Sequence, residues 1–164
     1  MLAACAEAVP GRTETWINPL IANAYRALHA QGHAHSIEAW TADGSLAGGL
    51  YGVRIKGAFF GESMFTRVRD GSKCALAALV ARLRFGGFTL LDTQFITAHL
   101  AGFGATEVSA RVYRTQLASA LGVSAGFFAL DGLDDGTAAS ARPATTVSGP
   151  VSGKRIVQLL TQIS

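Results

Sequence analysis

Apolar positions in this chain recur three and four apart, then two apart, then three and four apart again, and each change of period marks a change of element. Leu20, Ile21, Ala24, Ala27 and Leu28 keep one helical face, the spacing of an amphipathic helix. Asn18 in front of it is a good N-cap, Pro19 suits the first helical position, where its missing N–H costs nothing, and Gly32 ends the helix. Residues 36–42 set Ile37 and Ala39 against polar neighbours and read as a strand, Asp43 and Gly44 supply a hairpin turn, and residues 46–55 return as a second strand. Gly48 and Gly49 inside that strand predict a bulge or the close approach of another backbone. Lys56 and Gly57 turn the chain into a third strand at residues 58–60. Three antiparallel strands on tight turns are therefore expected.

A polar loop follows at 66–71. Ser72 is read as the cap of a helix running to about Phe85, with Leu76, Leu79, Val80 and Leu83 on one face, and Gly86 and Gly87 stop it. Residues 88–91 form a short buried run that delivers Asp92 and Gln94; two apart on an extended chain, these point to one face. Thr97 can cap a short helix at 98–102 that carries His99, residues 104–108 read as a further strand, and 110–121 as a last helix. Residues 1–10 read as a short helix apolar enough to want a partner surface. Past Leu121 the composition changes: residues 131–153 are rich in Gly, Ala, Ser, Thr and Asp and read as a mobile linker. The expected organisation is a domain over 1–121, a flexible tail over 122–153 and a short element over 154–164, where apolar character returns.

With 164 residues, 49% of them hydrophobic, the chain can bury a core as one domain. Cys5 and Cys74 have no partners at metal-ligand spacing and read as free thiols, Cys74 on the apolar side of its helix. No apolar run approaches the ~20 residues that span a bilayer, and the first residues lack the basic lead of a signal peptide, so a cytoplasmic protein is expected. The net charge of +3 is uneven: between Arg54 and Arg84 seven basic residues stand against two acids, Glu62 and Asp70. That excess either meets a polyanion or is a solvated helix face.

Glu62 lies among Phe59, Phe60, Met64 and Phe65. A carboxylate in apolar walls needs a cation or hydrogen bonds; Glu62 is a binding group for a cationic substrate, an internal partner of Arg67 or Arg69, or a solvent-facing turn residue. Asp92, at a strand end, is a catalytic candidate or a cap for the next turn, with Gln94 as its hydrogen-bonding neighbour. His29, His33, His35 and His99 are scattered, so no metal site is expected. Trp16, before a helix, can stack on a nucleobase or serve as a core lid.

Taken together, TWINP (15–19), AHSIEAW (34–40), GGLYGV (48–53), FFGESMF (59–65), SKCAL (72–76), LLDTQ (90–94) and HLAGFGATEV (99–108) occur in the order and at the spacing of a known family. The chain resembles the leucyl/phenylalanyl-tRNA–protein transferases, bacterial enzymes of the N-degron pathway, over roughly residues 1–121; FFGESMF and LLDTQ carry the most specific likeness. The resemblance implies an α/β (α+β) fold like the acyl-CoA N-acyltransferases (GNAT-like), with a mixed, mostly antiparallel sheet flanked by helices. It implies transfer of leucine or phenylalanine, and sometimes methionine, from aminoacyl-tRNA to the N-terminal arginine or lysine of a protein. By that likeness the catalytic groups are Glu62, Asp92 and Gln94. The apolar side-chain pocket is Leu50, Met64, Leu76, Leu79, Leu83 and Leu91, and Trp16 lies near the tRNA's terminal adenosine. Arg67, Arg69, Lys73, Arg82 and Arg84 are then candidate contacts to the tRNA backbone.

The ester of an aminoacyl-tRNA is already activated, so no metal, ATP or other cofactor is expected, and the chain is expected to work as a monomer. Members of the family carry a further N-terminal domain, so the start of this chain reads as truncated relative to them. After the last expected strand the chain has Val108, Ser109, Ala110 and Arg111 where members often have Ile-Pro-Arg. Two other readings stay open. One is an acyl-CoA-dependent N-acyltransferase, which needs a pyrophosphate-cradling glycine loop that residues 67–71 supply poorly. The other is a folded remnant without tRNA affinity.

Overall fold

The computed structural model describes residues 1–8 and 14–133. Four strands form one sheet in the order β1 (Ala34–Trp40), β2 (Leu46–Ile55), β3 (Ala58–Thr66) and β4 (Leu90–Asp92). The two hairpins are antiparallel, and β4 joins β3 in parallel after a crossover through helix α3 (Gly71–Phe85). The fold is mixed α/β, as expected. The Asp43–Gly44 turn is present, with Gly44 at φ 83°, and Lys56 takes φ 56° in the second turn.

Consecutive strand residues face opposite sides of a sheet, and Leu50 and Tyr51 do so here. Leu50 joins Phe59, Leu76, Leu79 and Leu83 in the core between sheet and α3. Tyr51 joins Cys5 and Ile17 in a second cluster, with Leu2 and Ala6 of α1 (Leu2–Ala6) and Ile21 and Tyr25 of α2 (Pro19–Ala30) against it. The sheet is thus sandwiched between α3 on one face and α1 and α2 on the other. Asn18 caps α2 through a 2.9 Å bond from the Ile21 N–H, as the sequence predicts.

The third strand runs on to Thr66, past the expected end at residue 60, and it contains a bulge. Gly52 pairs with Gly61 and Tyr51 with Ser63, which leaves Glu62 as the extra residue of β3. A bulge shifts the alternation by one residue. Phe59 and Met64, five apart, therefore both pack on the α3 side, while Phe65 packs on the other. The close approach predicted at Gly48 is also present: a Cβ there would lie 2.6 Å from the carbonyl carbon of Gly71, where α3 begins.

Several expectations are corrected. Helix α3 starts two residues earlier, with Asp70 at its N-cap in a left-handed conformation (φ 64°), and Ser72 lies inside its first turn. Cys74 is exposed, because the buried face runs through Ala75, Leu76, Leu79 and Leu83; Cys5 is the buried thiol, and neither is in a disulfide. Residues 104–108 form no strand. Gly104 takes φ 86°, and the chain runs irregularly into α5 (Ala110–Leu121), capped by Ser109.

Residues 122–133 are not the start of a linker. Phe127 is 3% exposed and stacks on Phe59 at 5.7 Å, Leu130 is buried, and Ala129–Leu133 form a 3₁₀ turn. Aromatic area of this size is worth burying, and composition averaged over a glycine- and alanine-rich stretch hides it. The expected linker from 134 to 153 and the element at 154–164 lie outside the described residues.

Candidate functional site

Register brings the polar candidates together. Asp92, the last residue of β4, lies beside Phe60 on β3, and Glu62 follows two residues on, at the bulge. Bulges re-aim a side chain and recur next to active sites. Gln94 does not continue the extended chain as the spacing predicted. It sits at φ 63°, and its N–H donates to Asp92 Oδ1 at 2.8 Å. This tight turn sends the Gln94 amide across to Glu62, where Nε2 donates to Oε2 at 3.1 Å. The three residues expected to act together are therefore in one hydrogen-bonded line.

Two tyrosines that sequence reasoning missed extend that line at both ends. The Tyr113 hydroxyl of α5 donates to Asp92 Oδ2 at 2.7 Å. The Tyr25 hydroxyl of α2 faces Glu62; burial first, and then the Glu62 carboxylate, pushes the Tyr25 phenol well above its ordinary range. Tyr25 also meets Tyr51 edge-on at 5.0 Å and Trp16 at 6.3 Å. Burial pushes the Tyr51 phenol up too, and its hydroxyl is buried without a hydrogen-bond partner among the described residues. No local signal marks these tyrosines, since Tyr113 is 21 residues from Asp92 and Tyr25 lies a whole hairpin away from Glu62. A cavity of about 400 Å³ borders Tyr25 and Tyr51 and includes Arg26, Ser36 and Glu38 in its wall.

The cations offered as internal partners of Glu62 are engaged elsewhere. Arg67 pairs with Glu7 at 2.5 Å and lies over the Phe65 ring, and Arg69 reaches Asp70 at 3.6 Å. Among the described residues Glu62 is met by neutral groups instead, the Gln94 amide and the Tyr25 phenol.

The six apolar candidates gather in one cluster, but not equally. Leu50, Leu76, Leu79 and Leu83 are 1–4% exposed and form the core itself. Met64 and Leu91 are half-buried at its margin, next to the polar line. Trp16 is half-exposed beside Tyr25.

The basic candidates divide. Arg67, Arg69 and Lys73 surround the start of α3, Lys73 on Asp70 at 2.7 Å. Arg84 is exposed near the other end of the helix, about 16 Å from Lys73 at 1.5 Å per residue. Arg82 is corrected: it is buried, with NH1 donating to Phe127 O at 3.0 Å and to Asp131 Oδ2 at 2.8 Å. It ties residues 122–133 to α3 and has no face to offer a nucleic acid. His99 is half-buried against Phe103 at 5.3 Å, outside the line. Among the described residues no cluster of His, Cys, Asp and Glu could hold a metal ion.

Fold and site define a mixed α/β domain whose acid–amide–acid line, at a strand bulge and the adjacent parallel strand end, is suited to binding and orienting an amine. Comparison with known proteins makes the class specific. Residues 1–118 match the family described as leucyl/phenylalanyl-tRNA protein transferase. The chain is 53% identical over 184 residues to the leucyl/phenylalanyl-tRNA–protein transferase of Rhizorhabdus wittichii, covering 100% of this chain and 72% of that protein. It is 53% identical to that of Phenylobacterium zucineum, covering 100% of this chain and 68% of the relative. To that of Afipia carboxidovorans it is 60% identical over 130 residues. The chain belongs to the leucyl/phenylalanyl-tRNA protein transferase family, a family of aminoacyltransferases. Among the described residues no helix is long and apolar enough to cross a membrane.

Proposed function

We propose that this chain transfers leucine or phenylalanine, and also methionine, from aminoacyl-tRNA to the N-terminal arginine or lysine of acceptor proteins, in the N-degron pathway of the cytoplasm, acting as a monomer. The observation that carries the proposal is the line Glu62–Gln94–Asp92, in which two carboxylates with no cationic partner among the described residues are held by neutral donors. The mixed sheet with helices on both faces supports a GNAT-like catalytic unit.

The acceptor amine has a pKa near ~8 and must shed a proton before it attacks. Asp92 holds the ammonium, and Gln94 orients the amine and helps its proton away. The amine nitrogen bonds to the ester carbonyl carbon, the bond from that carbon to the ribose oxygen breaks, and the proton lost by the amine ends on that oxygen. Holding the two reactants together supplies much of the acceleration, with effective molarities of roughly 10⁵–10⁸ M in favourable cases. Glu62 favours a cationic acceptor residue by charge.

Met64 and Leu91 are the wall that the aminoacyl side chain meets, with Leu50, Leu76, Leu79 and Leu83 as the rigid layer behind it. Trp16 stacks on the terminal adenine, and Arg67, Arg69, Lys73 and Arg84 meet the tRNA backbone. The acyl-CoA alternative is disfavoured by Gly71: a Cβ there would lie 2.4 Å from Ala47 O, so that glycine serves helix–strand packing.

Radiolabelled leucine, supplied as Leu-tRNA with a model protein that starts with arginine, tests the reading. Arginine-dependent transfer that disappears in Asp92→Ala is expected. Equal labelling of a glycine-starting acceptor, or full activity of both Asp92→Ala and Glu62→Ala, would refute it.

A further inference from the structure

We propose that Tyr113 is a positioning residue for the transfer reaction, holding the Asp92 carboxylate in the orientation that receives the acceptor amine; this rests on the role given to Asp92 above. The Tyr113 hydroxyl donates to Oδ2 at 2.7 Å while the Gln94 N–H donates to Oδ1 at 2.8 Å. Donors on both oxygens stop the carboxylate from rotating. A carboxylate offers about four lone-pair sites, so two remain for an ammonium.

The chemistry of the donor matters as much as the distance. No ion pair among the described residues engages Asp92. A phenol orients the carboxylate and leaves its negative charge for the substrate, whereas an arginine in the same place would neutralise it. Helix α5 is built to deliver this group. Ser109 caps it, the Tyr113 N–H closes its first turn on Ser109 O at 2.9 Å, and the half-buried ring then faces the end of β4. Bonding to Asp92 also raises the Tyr113 phenol above its ordinary pKa, the direction expected of a hydroxyl that donates to a carboxylate. With Tyr25 on Glu62 at the other end, the line runs from α5 across β4 and β3 to α2, and Tyr113 is its anchor on the α5 side.

The test combines kinetics with ¹³Cζ-tyrosine NMR on the 164-residue chain. Tyr113→Phe is expected to keep the fold, since only an oxygen is removed, and to lower kcat about 10–100-fold, the scale of a misplaced reacting group. KM for aminoacyl-tRNA and for acceptor should stay within about twofold, the signature of an interaction used in the transition state. On an Asp92→Asn background Tyr113→Phe should add no further loss, because it acts through Asp92. In Asp92→Asn the Tyr113 resonance should titrate at lower pH than in the parent.

Full kcat in Tyr113→Phe beside an inactive Asp92→Asn overturns the Tyr113 proposal and leaves the role of Asp92 standing. Full activity of Asp92→Asn overturns the role of Asp92 and the proposal with it. Losses that multiply in the double variant overturn the proposal, because Tyr113 then acts independently of Asp92. The titration needs no turnover, and a Tyr113 midpoint indifferent to Asp92→Asn overturns the proposal by itself.

Discussion

Replacing Arg82 by methionine keeps most of the apolar stem and removes the guanidinium that joins α3 to residues 127–131. Three hydrogen bonds go: NH1 to Phe127 O at 3.0 Å, NH1 to Asp131 Oδ2 at 2.8 Å, and NH2 to Asp131 Oδ1 at 2.5 Å. The charge also leaves its place over the Phe127 ring, 5.3 Å from the centroid. Removing one partner of a buried pair costs about 3–5 kcal/mol because the other charge is stranded. Here the Arg82 side chain is 7% exposed but that of Asp131 is 34% exposed, so water recovers part of the stranded charge. The expected loss is therefore about 2–3 kcal/mol, read as a lower urea midpoint at unchanged m-value. Phe127 should lose order with it, since Arg82 packs on its ring and donates a hydrogen bond to its carbonyl. The salt dependence of tRNA binding by the folded variant should not change, because a buried arginine releases no counterions. A loss under about 0.5 kcal/mol, or a salt slope that falls while stability holds, would refute the structural role assigned to Arg82.

Acid should destabilise the protein through His35. Burial, then the charges of Arg54 and His29, pulls this imidazole down to about 4. The unfolded chain takes up a proton near the ordinary ~6.5 and the native one does not, so its contribution is complete above that value and is lost as pH falls toward 4. About 2 kcal/mol should be gone by pH 5, and a urea midpoint as flat in His35→Gln as in the parent would contradict this. At the alkaline end all three tyrosines, Tyr25, Tyr51 and Tyr113, have raised pKa values. Stability should therefore be complete below about 10 and decline above it, with less tyrosinate absorbance in the native than in the unfolded protein near that pH; identical native and unfolded titrations would contradict this. Gly48→Ala forces a methyl to within 2.6 Å of the Gly71 backbone and should cost about 2–3 kcal/mol, measurable in the same urea experiment. If Arg69 and Lys73 each meet a phosphate, Arg69→Ser and Lys73→Ser should each reduce the salt slope of tRNA binding by about 1; unchanged slopes would remove them from the interface.

The local signals in the chain were enough for most of the elements. Asn18 with Pro19, Asp43 with Gly44, and the period of Leu76, Leu79 and Leu83 each act within a turn or two, so the α2 cap, the first hairpin and the buried face of α3 follow from the sequence. The motif around Glu62 and the end of LLDTQ also named the three polar residues that meet. The way they meet was not legible. The bulge at Glu62 depends on register with β2, and the left-handed Gln94 on the Asp92 bond it closes. Nor could the sequence separate Met64 and Leu91, at the edge of the cluster, from the leucines sealed in the core, because all of them read alike as apolar positions. Arg82 read as an exposed helix-end cation until Asp131, 49 residues on, supplied its partner. Tyr113 and Tyr25 entered the site only when α5 and α2 were packed against the sheet. Capping, turn geometry and helical period involve near neighbours and are written in the chain; register, burial and long-range pairing depend on which surfaces meet, and only the tertiary structure decided those.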